Sequence, residues 1–407
     1  MKTTIPKEGA METQTTTVAA KKATKDNGTA APAVAAGVRA KVLALRDELR
    51  DRFPERENVI TGLLVALVAN VHAVLIGPPG TAKSLLVRTI VNAITDAAGF
   101  DWLMTRFTTP EEVFGPVSLS GLQHDRMTRV TKGKLPEANV AFLDETFKAN
   151  SAILNALLTA MNERLFHDDG GAKKIPLYML VGASNEMPQG DELEALYDRF
   201  IMRHVVEEVR EYKSFAAITG RSVAPVTTLL TLAEVDTARA EMAAIALPDD
   251  VVRAMFNLRG ILASDGIKAS DRRWVQLCDV LRAYAWLDGA TEVDSMHFDI
   301  LRHALWREPK DAAKVASVIA KTANPKLAEA TEIHDAAMGL ARALPQSGAI
   351  GQRGPATLAE LKKAVKKMES IGKELRGQTL KKVEGYVTGL AAEHDKIRER
   401  YMAEMGI

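Results

Sequence analysis

Gly77-Pro78-Pro79-Gly80-Thr81-Ala82-Lys83-Ser84-Leu85 lies between a short apolar run, Ala73 to Ile76, and a helical apolar pattern at Leu85, Leu86, Ile90 and Ile94. The order strand, glycine loop, helix decides the fold. Consecutive backbone N–H groups in such a turn, aided by the positive end of the following helix, hold the oxygens of a phosphate. Gly77 through Leu85 is therefore the candidate cradle for ATP. Lys83 is placed to reach the β- and γ-phosphates and Ser84 to take a position on Mg²⁺. The strict pattern has glycine where this chain has Ala82, and a methyl group is tolerated there if φ stays negative. A glycine turn ahead of a helix can also be purely structural, so the loop needs a second feature.

Phe142-Leu143-Asp144-Glu145 supplies it. A buried strand that ends in two acids is costly unless the acids have cationic work. Asp144 is the candidate Mg²⁺ residue and Glu145 the candidate general base for the attacking water; the competing reading is that the pair caps the next helix. Ala183-Ser184-Asn185 places an amide where another strand ends, from which Asn185 could orient the water, although an Asn there is commonly a turn residue. Arg199 and Arg203 read as four apart on one helix face or at its end. Either could be solvated surface or, in a ring, could reach a neighbour's γ-phosphate.

Working outward, further strands are expected at Trp102 to Phe107, Val140 to Leu143 and Leu177 to Val181, alternating with helices as in an α/β parallel sheet covered on both faces. Two helices precede the first strand. Two hairpin insertions are expected, one from Leu119 to Val130 and one turning at Asp168-Asp169-Gly170-Gly171. After Arg210 helical patterns take over (Val226 to Met242, Pro248 to Leu262, Asp271 to Leu287, Ser295 to Leu305). The resulting division is a disordered tail over 1–35, a nucleotide-binding core over 36–210, an all-α lid over 211–310 and a helical or coiled-coil region over 311–407. The tail expectation rests on the near absence of large apolar side chains, and the last on three-four spacing from Leu358 to Leu390, interrupted by glycines.

Composition narrows the function class. Of 407 residues 47% are hydrophobic and 26% charged, with a formal net charge of +1, so the chain as a whole lacks the basic excess expected of a nucleic-acid binder. The apolar stretch Leu63 to Ile76 is broken by Asn70 and His72 and is too short to cross a bilayer. No secretory leader is legible at Met1 to Ala10, and a cytoplasmic location is the default. The lone Cys278 reads as a small buried hydrophobe. The histidines never fall at zinc-ligand spacing with carboxylates. Trp274, Trp286 and Trp306 read as lid anchors.

The run Leu103-Met-Thr-Arg-Phe-Thr-Thr-Pro-Glu-Glu-Val-Phe-Gly-Pro-Val117, with Leu135 to Ala138, Phe142 to Glu145, Ala183 to Glu186, Ala195 to Arg199 and Ser270-Asp271-Arg272-Arg273-Trp274, resembles the RavA branch of the MoxR AAA+ ATPases. The resemblance spans about Val38 to Trp306. It implies an AAA+ P-loop core with two insertions and a lid, a hexameric ring with ATP between subunits, and remodelling of client proteins with a partner bearing a von Willebrand factor A domain. It also implies that Asn185 is the first sensor, Arg199 the arginine finger and Arg272 a second sensor reaching the γ-phosphate from the lid, with Arg203 and Arg273 as the other choices. The alternatives are a nucleic-acid motor, for which His124, Arg126, Arg129, Lys132, Lys134 and Lys173-Lys174 would be the contacts, and a slowly hydrolysing scaffold, against which an intact Glu145 argues.

Overall fold

The computed structural model describes residues 37–169, 171–219, 226–345, 351, 353–373 and 377–405. The expected disordered tail, 1–35, lies outside the described residues, as does Gly170 in the expected hairpin turn. Helices α1 (Val38–Arg52) and α2 (Glu57–Val68) lead into β1 (His72–Ile76), α3 (Lys83–Asn92), β2 (Gly99–Leu103), α4 (Pro110–Phe114), α5 (Leu119–Leu122), β3 (Val140–Asp144) and α6 (Ser151–Glu163). Then come β4 (Leu165–Asp168), β5 (Gly171–Lys174), β6 (Met179–Ser184), α7 (Asp191–Arg199), β7 (Phe200–Val205) and α8 (Tyr212–Thr219). The remainder is helical: α9 (Leu232–Ala243), α10 (Asp249–Ser264), α11 (Asp271–Asp288), a 3₁₀ stretch Ser295–His303, α12 (Ala312–Ala323), α13 (Pro325–Arg342), α14 (Arg353–Gly372) and α15 (Gly377–Met405).

Five strands form one parallel sheet in the order β2-β3-β6-β1-β7. Its inner strands are buried along nearly their whole length, which is why they read as unbroken apolar runs. Strand β7 was not among the expected strands, and Arg203 does not share the helix face, or the helix end, expected for it and Arg199. Instead α7 stops at Arg199, and Phe200-Ile-Met-Arg-His-Val205 pairs with β1 from His72↔Phe200 to Ile76↔Val205. Six residues are too few for periodicity to separate strand from helix. Strand β2 also starts and ends earlier than expected, leaving Phe107 on an exposed loop.

The two insertions differ. β4 and β5 pair antiparallel from Leu165↔Lys174 to Asp168↔Gly171, the hairpin expected there. The other expected hairpin, Leu119 to Val130, begins instead with a helical turn, α5, held by Ser118, whose Oγ accepts from Gly121 N at 3.2 Å. A single antiparallel bridge, Val117↔Arg129, closes it. A serine at the cap position offers the backbone a helical partner in place of a ladder.

The lid packs on the core through α11 against α2 and β7, and one continuous apolar cluster runs through both. This explains α2, which is buried on every side from Leu63 to Val68. Trp274, Trp286 and Trp306 are buried in that cluster, whereas Cys278 is only half-buried, its thiol 3.5 Å from Trp274 O. Helix α12 contributes Val315 and Ile319 to the same cluster and packs on α10 and the 3₁₀ stretch. α13, α14 and α15 pack on one another around a separate core that includes Leu361, Met368 and Leu390. Among the described residues no helix is long and apolar enough to cross a membrane.

Candidate nucleotide site

The loop after β1 is shaped by one close approach and by left-handed backbone. A Cβ on Gly77 would stand 2.0 Å from Val206 O, on the chain leaving β7, and Gly80 adopts φ +80°. Ala82 precedes α3 at φ +63°, ψ +21°. The condition for tolerating that methyl group, a negative φ, is therefore not met: this alanine sits in the left-handed region, where its Cβ crowds the backbone. Lys83 Nζ folds back over the loop and donates to Gly77 O at 2.9 Å and Pro78 O at 2.7 Å. Thr81 Oγ donates to Pro78 O at 3.0 Å. Burial lowers the proton affinity of Lys83, and the charges of Asp144 and Glu145 oppose that shift. The ammonium thus lies within the field of both acids.

Ser84 Oγ donates to Asp144 Oδ2 at 3.0 Å. A hydroxyl and a carboxylate side by side form an all-oxygen pair of the kind Mg²⁺ takes, usually with waters and phosphate oxygens completing the shell. Glu145 follows at φ +51°, a second non-glycine residue in the left-handed region. Its Oε2 is buried, makes no hydrogen bond, and meets Lys148 Nζ in an ion pair at 3.4 Å. Strain of this kind gathers at functional sites. Asn185 is exposed just after β6, whose Ser184 O accepts from Gly77 N at 3.0 Å, so its amide leaves the sheet beside the phosphate loop. A cavity of about 980 Å³ opens from Pro79 to Leu86 toward the α1–α2 connection and α8.

The four arginines separate into two kinds. Arg203 is buried on β7, donates to Trp306 O at 2.5 Å and lies 3.9 Å over the Tyr197 ring; burial brings its pKa down to about 9. Arg273, also buried, donates to the carbonyls of Ile201, Ala304, Asp198 and Phe200 at 2.8 to 3.1 Å and pairs with the Asp198 carboxylate. Both are spent on joining β7 to the lid. Arg199 is half-buried; Nη1 donates to Ala195 O at 2.6 Å, while Nε is buried without a partner. Arg272 is exposed, with Nη1 3.3 Å from Asn162 Oδ1. The two are close enough that, after burial, the charge of Arg272 is what most depresses the proton affinity of Arg199.

Arg272 and Arg199 lie near one another and apart from the phosphate loop. Neither Arg272 nor Arg199 lines the cavity. Arg199 precedes the start of β7, paired with the start of β1, while the phosphate loop leaves the far end of β1. At ~3.3 Å per residue, five residues of strand put roughly 16 Å between them.

Residues 40–225 match the family model described as the MoxR domain in the MoxR-vWA-beta-propeller ternary systems, and 250–319 match an AAA lid domain. An uncharacterized protein of Methanocaldococcus jannaschii is 41% identical over 286 residues, covering 69% of this chain and 75% of that protein. Another from the same organism is 39% identical over 282 residues, 69% of this chain and 73% of that one. Chaperone MoxR1 of Mycobacterium tuberculosis is 26% identical over 350 residues, 78% and 89% of the two chains. Among solved structures, a candidate ATPase from Cytophaga hutchinsonii shares the fold with a TM-score of 0.57 at 20% identity, over 70% of this chain and 94% of that one. With a glycine loop and an acid pair on a five-stranded parallel sheet, and a helical lid behind it, the chain belongs to the MoxR family of AAA+ ATPases.

Proposed function

We propose that the protein binds MgATP in the loop Gly77 to Leu85 and hydrolyses it when a second copy contributes Arg199 and Arg272. The observation that carries this reading is the placement of an arginine pair, one with a buried donor unspent, at the end of the sheet opposite the phosphate loop. Ser84 and Asp144 would hold the Mg²⁺, which neutralises charge on the β- and γ-oxygens. Lys83 trades its loop carbonyls for phosphate oxygens, Glu145 takes the proton from the attacking water, and Asn185 orients that water. The neighbour's guanidiniums meet the charge that develops on the leaving phosphates. Head-to-tail contacts of this sort close into a ring, and a hexamer is the form the RavA-like motifs imply.

The work done with that hydrolysis is proposed to be the remodelling or maturation of client proteins, together with a partner bearing a von Willebrand factor A domain. The description of the matching family model supports the partner, and the likeness to Chaperone MoxR1 supports the chaperone-like role. A nucleic-acid motor is less well served. Arg129 is tied to Glu111 and Gly115 O, Lys134 to Glu112 O, and Lys173 to Asp168, so much of the local basic charge is already engaged.

Subunit mixing tests the reading. Lys83→Ala should abolish ATP binding, and Glu145→Gln should bind ATP with turnover reduced at least about a hundredfold. Arg199→Ala and Arg272→Ala should each lose on the order of a thousandfold in kcat, and each should regain activity when mixed with Glu145→Gln, whose arginines serve the neighbour's intact site. Normal hydrolysis by Glu145→Gln would sink the assignment of the base. Failure of both arginine variants to recover, with assemblies intact, would sink action across the interface.

A further inference from the structure

The cavity beyond the phosphate loop has an apolar half walled by Phe53, Pro54, Val206, Phe215, Ile218 and Val226. Two carboxylates pin this wall at its ends. Glu55 accepts from the backbone N–H groups of Arg210 and Glu211, at 2.9 and 3.0 Å, where α8 begins. Glu48, on α1, accepts from Thr227 N at 2.7 Å, Thr227 Oγ at 2.8 Å, Thr228 N at 3.2 Å and Thr228 Oγ at 2.6 Å. Helix α1 is a firm base for this clasp, since Val42, Leu45 and Leu49 bury its other face in the core. Glu48 itself lines the cavity, and Thr231, three residues past Thr228, caps α9. The clasp is thus the point where the cavity wall passes into the lid. Burial alone would raise the Glu48 pKa, but the hydrogen bonds from Thr228 and Thr227 outweigh it and bring it down to about 2.

We infer that Glu48 is a positioning residue for the nucleoside half of the substrate, acting through Thr227 and Thr228, which hold Val226 and the adjoining wall against the base. The inference rests on the ATP-site reading above. Four donors converge on one carboxylate, more than a simple helix-to-loop contact needs. The flat face of a base gains binding from an apolar wall held in place before it arrives, because the wall's ordering has already been met in folding. The phosphates are held by separate groups, Lys83 and the loop amides, so the two halves of the substrate can be weakened one at a time.

The test uses the full chain carrying Glu145→Gln, so that ATP is bound and not consumed, and compares ATP with inorganic tripolyphosphate, both with Mg²⁺, by calorimetry. Adding Glu48→Gln, which keeps the shape but loses the charge and half the acceptor capacity, should weaken ATP binding about tenfold. Tripolyphosphate affinity should change less than about twofold, which also reports that the variant is folded. Glu48→Asp, which restores a carboxylate on a shorter stem, should recover part of the ATP affinity. Equal weakening of both ligands, or no change in either, overturns the role of Glu48. Absence of ATP binding by the Glu145→Gln parent overturns the ATP-site reading beneath it.

Discussion

At the scale of single residues, Ala82 carries a cost that glycine would not. A left-handed conformation strains an L-residue by about 1–2 kcal/mol, and glycine's larger unfolded-state entropy returns about 0.5–1 kcal/mol of that. Ala82→Gly should therefore stabilise the protein by about 0.5–1 kcal/mol, seen as a higher urea midpoint at unchanged m-value. A lower midpoint would mean that φ at this position is not positive in solution. The sequence carried the placement of the loop between a strand and a helix and of Asp144 at a strand's end, because glycines and an abrupt acid after an apolar run are local signals. It did not carry φ at Ala82, which no local pattern of side chains sets. Glu48 was invisible for a similar reason: its partners lie about 180 residues along the chain, and no local pattern marks them.

Among the elements, α11 shows why two adjacent arginines can have different fates. Arg273 shares a face with the buried Leu277, Val280 and Leu281, whereas Arg272 falls a helical step away from it. That periodicity was present in the sequence and could have separated them. Arg273→Met would take a donor from the carbonyls of Ile201, Ala304 and Asp198 and leave the Asp198 carboxylate only Ser270 and the more distant Arg203, so a loss of about 3–5 kcal/mol is expected in urea unfolding. Arg272→Met, at an exposed position, should change stability by less than about 0.5 kcal/mol. Equal stabilities for the two variants would show that the join between β7 and the lid does not rest on Arg273. Strand β7 was the element least legible in sequence. What makes Phe200 to Val205 a strand is the free edge of β1 beside it, a tertiary fact that six residues of mixed polarity cannot announce. The α5 turn was missed for the opposite reason, since a strictly local contact from Ser118 outweighed alternation.

For the molecule as a whole, the described residues build two apolar cores. α12 shares the core of the sheet and lid, while α13 to α15 bury their side chains mainly among themselves. Asn324 caps α13 by accepting from Leu327 N at 3.0 Å, and Pro325 begins it, so the chain changes core at that pair. A chain ending at Asn324 should unfold cooperatively and bind ATP with the affinity of the full protein, measured by calorimetry beside thermal unfolding. Loss of ATP binding in a folded truncation would show that α13 to α15 bear on the site itself. The sheet has a further consequence at this scale. Its two ends carry unlike halves of a proposed shared site: phosphate loop at one, the Arg199–Arg272 pair at the other. A line of n copies then completes only n − 1 sites, and closing the line adds the last one without any new contact type. Turnover per subunit would climb with assembly size and level off on closure, making the rate itself a gauge of whether the circle is shut.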